Sequence, residues 1–213
     1  MAMTEQARRF VPTPHDNDAA LCVVGHDGVI DLNAAEDAVR TLLRALGRDP
    51  HSPHLVGTRS RVAAAFAELL TLETFEMTTF DNEEDYDELV LARDIPFRSL
   101  CEHHLLPFSG VAHVGYLPKD RVLGLSKLAR IVERYAADLQ TQERLTKQVA
   151  DSLDEHLHPR GVGVVIEADH LCMSLRGVRS NGARTITSAV HGLLRDDARS
   201  RQEFFTLTSA SRR

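Results

Sequence analysis

The chain has 213 residues, enough for one compact domain with an appended segment. Its net charge of −6 argues against a general binder of nucleic acid or of anionic membranes, and no apolar run is long enough to span a bilayer. Hydrophobic residues make up 43%, so a core can form, but there is no Trp and aromatic residues are only 5%, so Ala and aliphatic side chains must do most of the packing. The opening residues lack the apolar stretch of a secretory signal, so a soluble cytoplasmic protein is expected. Three cysteines fit no disulfide framework and read as thiols or metal ligands.

Residues 1–32, with Pro12, Pro14 and a short apolar patch from Leu21 to Val24, read as a flexible arm. Residues 33–80 read as an N-terminal helical segment. Asn33 is the expected cap of its first helix, with Glu36 as capping-box partner. Val39, Leu42, Leu43 and Leu46 follow at helical spacing, and Gly47 ends the run. Thr58 is the expected cap of a second helix bearing Val62, Ala65, Phe66, Leu69 and Leu70.

Residues 81–213 form the remaining domain. The acidic stretch Asp81 to Glu88 reads as a solvated loop. Leu89 to Ala92 and Gly110 to Tyr116 are strand-like. Ser126 stands where a cap would for a helix carrying Leu128, Ile131, Val132 and Tyr135. A longer helix runs from about Thr141 to His156. Gly161 to Glu167 is a β-branched run, Arg184 to Val190 is its expected sheet partner, and a short amphipathic helix spans Ala198 to Leu207. This order predicts an α+β fold with an antiparallel sheet.

Two segments point to chemistry: Cys101-Glu102-His103-His104, and His170-Leu171-Cys172. Zinc takes thiolate and imidazole ligands, and a catalytic zinc keeps three protein ligands and one open position. Cys101 and His104 are spaced to reach one ion from a single turn, with Cys172 arriving from a distant strand end. On spacing alone, a buried cysteine used as a small hydrophobe remains an equal alternative. His103 and His170 stand beside these residues, and imidazole can exchange protons at neutral pH. For either histidine taken alone, a hydrogen-bonded structural role is the commoner outcome. His113, on the strand after the metal loop, reads as structural.

The runs DIPFRSLCEHHLLPFSGVAHVGYLP, GLSKLARIVERYA, QERLTKQVADSL and GVGVVIEADHLCMSLRGV together resemble GTP cyclohydrolase I of the zinc-containing type. The resemblance extends over roughly Asn33 to Leu207. It implies one zinc per subunit on Cys101, His104 and Cys172, with His103 and His170 as proton-transfer residues. It implies that Glu143 holds guanine with Gln142 assisting; a carboxylate accepts from both the ring N–H and the exocyclic amine, a donor pair that adenine lacks. Lys127, Arg130 and Arg176 match phosphate-binding positions, with Ser126 adding a donor at a helix N-terminus. Arg61 resembles an arginine that reaches a neighbouring subunit's phosphates. The family there reads Asp-Thr-Pro, whereas this chain reads Gly57-Thr58-Arg59.

The implied reaction is attack of zinc-activated water at the purine C8 of GTP, ring opening, Amadori rearrangement and reclosure. It yields 7,8-dihydroneopterin triphosphate and formate, the first step of pterin synthesis. The implied architecture is the tunnelling fold (T-fold), an antiparallel sheet backed by two helices, within a homo-oligomer of two pentameric rings. Two alternatives are a catalytically idle, zinc-stabilised binding homologue and a nitrile reductase of the same fold. The intact CEHH and HLC motifs argue against the second.

Overall fold

A computed structural model of the chain describes residues 29–71 and 74–209, so most of the expected arm, residues 1–28, lies outside the described residues. The described residues fall into two compact units, 29–71 and 74–209.

The first unit is a pair of helices, α1 (Leu32–Ala45) and α2 (Thr58–Leu70). The cap of α1 is Asp31, whose carboxylate accepts from the Ala34 N–H at 2.9 Å, and not Asn33, which lies inside the helix. Glu36 does not reach back to a cap, because its carboxylate lies 3.4 Å from Arg59 of α2. Gly47 ends the helix with φ +72°. The Gly47 and Arg48 N–H groups bond the carbonyls of Arg44 and Leu43, the double bond pattern that a left-handed glycine allows. Thr58 opens α2 as its first helical residue, and Gly57 stands in the cap position.

The second unit is built on a five-stranded sheet of order β5-β2-β3-β6-β7. Its strands are β2 (Val90–Cys101), β3 (Pro107–Leu117), β5 (Leu139–Gln140), β6 (Gly161–His170) and β7 (Thr185–Gly192). All neighbours are antiparallel except β5, which runs parallel to β2. A separate two-stranded ribbon joins β1 (Thr79–Asp81) to β4 (Arg121–Leu123). Asp81 therefore belongs to a strand, and only residues 83–88 of the acidic stretch are continuously exposed. The architecture is mixed α+β with an antiparallel-rich sheet.

Two long helices, α3 (Leu125–Ala136) and α4 (Gln142–Leu157), supply Leu128, Ile131, Val132, Leu145, Val149 and Leu153 to the main core. Val162, Val164, Ile166 and Ala168 of β6 join that core. Val165 belongs to a second cluster with Leu117, Leu194 and Phe204. Covering both faces explains why β6 reads as an unbroken apolar run and not as an alternating one. The cap of α3 is Gly124; Ser126 is an exposed second helical residue, so it is not the cap that its position suggests. Thr141 does cap α4, accepting from the Arg144 N–H.

Two one-turn helices, α5 (Leu171–Ser174) and α6 (Leu193–Asp196), are too short to carry a periodic signal. The last helix is α7 (Ala198–Ser209). β2 carries a bulge between Ala92 and Ile95, where Asp94 takes φ +56°. His113 Nδ1 accepts from the freed Asp94 N–H at 3.2 Å, giving this buried imidazole a structural bond.

Phe204 of α7 seats its ring on Gly163, where an added Cβ would lie 2.7 Å from ring carbon. Phe204 is fully buried. Phe204→Ala is expected to cost about 3–5 kcal/mol, the range for deleting a buried aromatic ring, read as a lower midpoint in denaturant unfolding.

Candidate metal centre

The hairpin between β2 and β3 places the first two candidate ligands. Cys101 is the last residue of β2, and its carbonyl accepts from the His104 and Leu105 N–H groups. The Cys101 N–H donates to Leu106 O at 2.9 Å, closing the turn. Leu105 takes φ +54° within it. From outside, β5 stitches the turn down: Gln140 pairs with Cys101, and Gln140 O accepts from the Glu102 N–H at 3.1 Å.

The third candidate arrives across the sheet. Phe108 of β3 pairs directly with His170, the last residue of β6, and Cys172 follows two residues later on α5. One ligand atom from each of Cys101, His104 and Cys172 lies within 4.8 Å of the others. Cys101 Sγ is 3.7 Å from His104 Nδ1. A tetrahedral ion with metal–ligand distances of about 2.0–2.3 Å needs ligand–ligand edges of about 3.3–3.8 Å, so the grouping is near the required size. Two soft thiols and an imidazole suit zinc among the common divalent ions.

Burial pushes the Cys172 thiol above its ordinary value, and the neighbouring Cys101 pushes it the same way. A divalent cation between the two sulfurs would reverse both influences by favouring thiolate. Cys101 is buried, Cys172 half-buried and His104 exposed, so the cluster opens to one side.

Polar side chains surround it. Arg176 Nη1 lies 3.5 Å from His104 Nε2. His103 is exposed, with Nε2 3.8 Å from Glu102 Oε1, and Glu102 Oε2 accepts from Arg144 Nη2 at 2.6 Å. Glu143 is exposed on the first turn of α4. Burial pushes the His170 imidazole below its ordinary value, while the carboxylates of Glu143 and Asp169 act the other way. Gln142 is buried, and its side-chain oxygen lies 2.7 Å from His170 Nε2.

The other sequence candidates are Ser126, Lys127, Arg130 and Arg61. Ser126, Lys127 and Arg130 occupy the first turns of α3. Among the described residues no hydrogen bond or ion pair joins them to the cluster, and Lys127 Nζ rests 5.9 Å above the Phe75 ring. Arg61 belongs to the helical unit, where its guanidinium folds back to donate to Thr58 Oγ1 at 3.2 Å over the bare backbone of Gly57.

Sequence reasoning missed two contributors. Phe108 stacks on the His170 ring, with centroids 4.6 Å apart and planes 3° apart. Only the cross-strand register reveals that pairing. Arg144 ties Glu102 to Gln140 Oε1, and no local pattern marks a residue that joins two other segments.

Fold and cluster together define a candidate metalloenzyme of mixed α and β structure. The chain belongs to the GTP cyclohydrolase I family, whose model matches residues 35–209. It is 54% identical over 186 residues to GTP cyclohydrolase 1 of Mycobacterium tuberculosis (strain ATCC 25618 / H37Rv), covering 84% of this chain and 91% of that one. It is 51% identical over 197 residues to that of Thermobifida fusca, covering 90% and 93%, and 48% identical over 178 residues to that of Aquifex aeolicus, covering 84% and 97%. A crystal structure of the archaeosine synthase QueF-Like in its apo form overlaps 49% of this chain and 93% of that one, at 19% identity and TM-score 0.41.

Cys172→Ser is expected to retain the fold by circular dichroism while bound divalent metal, measured by elemental analysis, falls from about one per chain to near zero.

Proposed function

We infer that the chain is a GTP cyclohydrolase I, an enzyme that hydrolyses GTP to 7,8-dihydroneopterin triphosphate and formate. The observation that carries this is the convergence of Cys101, His104 and Cys172 in a chain whose family match spans residues 35–209. In this reading the three side chains hold zinc, one per subunit, and the bound ion supplies Lewis-acid activation of water for attack on the purine C8.

The remaining work falls to the chain's own groups. Glu143, exposed at the start of α4, accepts from the ring N–H and the exocyclic amine of guanine. His170 and His103 carry protons to and from the nitrogens of the opening ring. Arg176, already beside His104, meets the triphosphate, as do Lys127 and Arg130 with Ser126 at the start of α3. Holding base and tail at once sets C8 against the reactive centre, the entropic advantage of a fixed geometry. The opened base and ribose then rearrange in Amadori fashion and reclose.

The finer architecture belongs to the same reading. Residues 81–213 make the catalytic domain of tunnelling fold, 33–80 an N-terminal helical segment and 1–32 an arm. Subunits associate as a decamer of two pentameric rings, with Arg61 offered to a neighbouring site. Supporting this, Leu42 and Leu46 of α1 and Ile186 of β7 are exposed in the single chain, and the β7 edge has no strand beyond it among the described residues. We place the enzyme in the cytoplasm; among the described residues no helix is long and apolar enough to cross a membrane.

The direct test is incubation of metal-loaded protein with GTP, followed by oxidation and assay of neopterin fluorescence and formate. Release of neither refutes the reading. His103→Ala is expected to keep its metal while kcat falls about 10²–10⁴-fold, the usual share of a proton-transfer group; an unchanged rate removes it from the mechanism. Glu143→Ala is expected to erode discrimination between GTP and ATP in competition assays.

A further inference from the structure

Gln142 stands next to Glu143, yet its side chain is committed elsewhere. It is 2% exposed. Its amide nitrogen donates to Ile166 O at 3.0 Å, to Thr185 O at 2.9 Å and to Thr187 Oγ1 at 3.1 Å. Backbone carbonyls only accept, so two of these partners fix which end of the amide is nitrogen, an assignment usually left open. The surrounding hydroxyls agree. Thr146 Oγ1 donates to Gln142 O at 2.7 Å and lies 2.6 Å from Thr187 Oγ1, which leaves the Thr187 hydroxyl to donate to Thr146 and to accept from the amide.

The amide oxygen then faces His170 Nε2 at 2.7 Å, and an oxygen in that place requires a proton on the nitrogen. Phe108, stacked 4.6 Å away with planes 3° apart, holds the ring plane while the amide holds its rotation within the plane. Both degrees of freedom of the imidazole are therefore set from the protein side.

We propose that Gln142 is a positioning residue: its buried amide holds His170 as the Nε2–H tautomer and leaves Nδ1 as the nitrogen that meets substrate, while its side chain makes no contact with guanine. This rests on His170 being a proton-transfer group of the hydrolase. Glu143 alone then reads the base, and the two adjacent residues at the start of α4 divide the labour, one facing the ligand and one facing the histidine behind it.

The first test needs no variant. Two-bond nitrogen–proton spectra of metal-loaded protein labelled with ¹⁵N-histidine, at pH 8, report which ring nitrogen carries the proton. The His170 signals are identified by their loss in His170→Asn. The expected pattern has Nε2 protonated and Nδ1 bare; the reverse pattern overturns the proposal. The second test is Gln142→Met, which keeps the length and removes the amide. A fall in kcat of about tenfold or more, with KM for GTP and the preference for GTP over inosine triphosphate within about twofold, is the expected result. Weakened binding or lost preference at unchanged kcat would make Gln142 a base contact and overturn the idea. Should the variant fail to fold, the spectrum of the native chain still decides. Should the native chain not turn over GTP at all, the hydrolase reading fails, while the spectrum judges the tautomer separately.

Discussion

The site depends on where three antiparallel strands stop. β2 ends at Cys101, the hairpin returns as β3, and the register of β3 against β6 sets His170 opposite Phe108. That pairing converts a separation of some seventy residues along the chain into ligand atoms within 4.8 Å of one another. A slip of one residue would turn Phe108 away from His170 and exchange the faces of β6. Ladder hydrogen bonds and the apolar cover on both faces hold the register, so the core energy of the fold is also what keeps the ligands together.

Behind the cluster lies a second layer of support made of polar groups. Arg144 joins Glu102 to the short β5, and β5 in turn grips the ligand-bearing turn. Buried Gln142 and Thr146 and half-buried Thr187 form a chain whose donors and acceptors all match. Such a network is costly if one member is removed, because the others remain buried with nothing to bond. That cost is the reason to expect such groups to act together and not one at a time.

Much of this was legible in the residues, and what was not has physical causes. The long helices were visible because Leu145, Val149 and Leu153 repeat at helical spacing, and β6 because its branched residues run unbroken. Cys101, His104 and Cys172 stand out as a donor set in the sequence, whereas their meeting in space is a matter of strand register. The start of α1 differs from the expected one because Asp31 and Asn33 are both good caps, and spacing alone does not say which one the backbone selects. Ser126 failed as a cap for a similar reason: the chain enters α3 from β4 through Gly124. β5 has two residues and α5 one turn, too little for any period to register. Gln142 drew attention as the neighbour of Glu143, but successive helical residues point in different directions, and its bonds to Ile166, Thr185, Thr187 and His170 come from strand register that no local pattern shows.

The seating of Phe204 on Gly163 also acts as an index for the end of the chain. The notch accepts one ring at one place, so the span from Gly192 to Phe204 has a set length. One residue inserted after Ala198 would turn the ring by about 100° and move it about 1.5 Å along the helix axis, out of the notch. The exposed stretch at residues 83–88 seats no ring in a notch, and its side-chain ties, Asn82 to Tyr86 and Arg160 to Asp87, are polar contacts at the surface. Affinity tags or reporter peptides placed within the chain therefore belong in that stretch, and the approach to α7 should keep its native length.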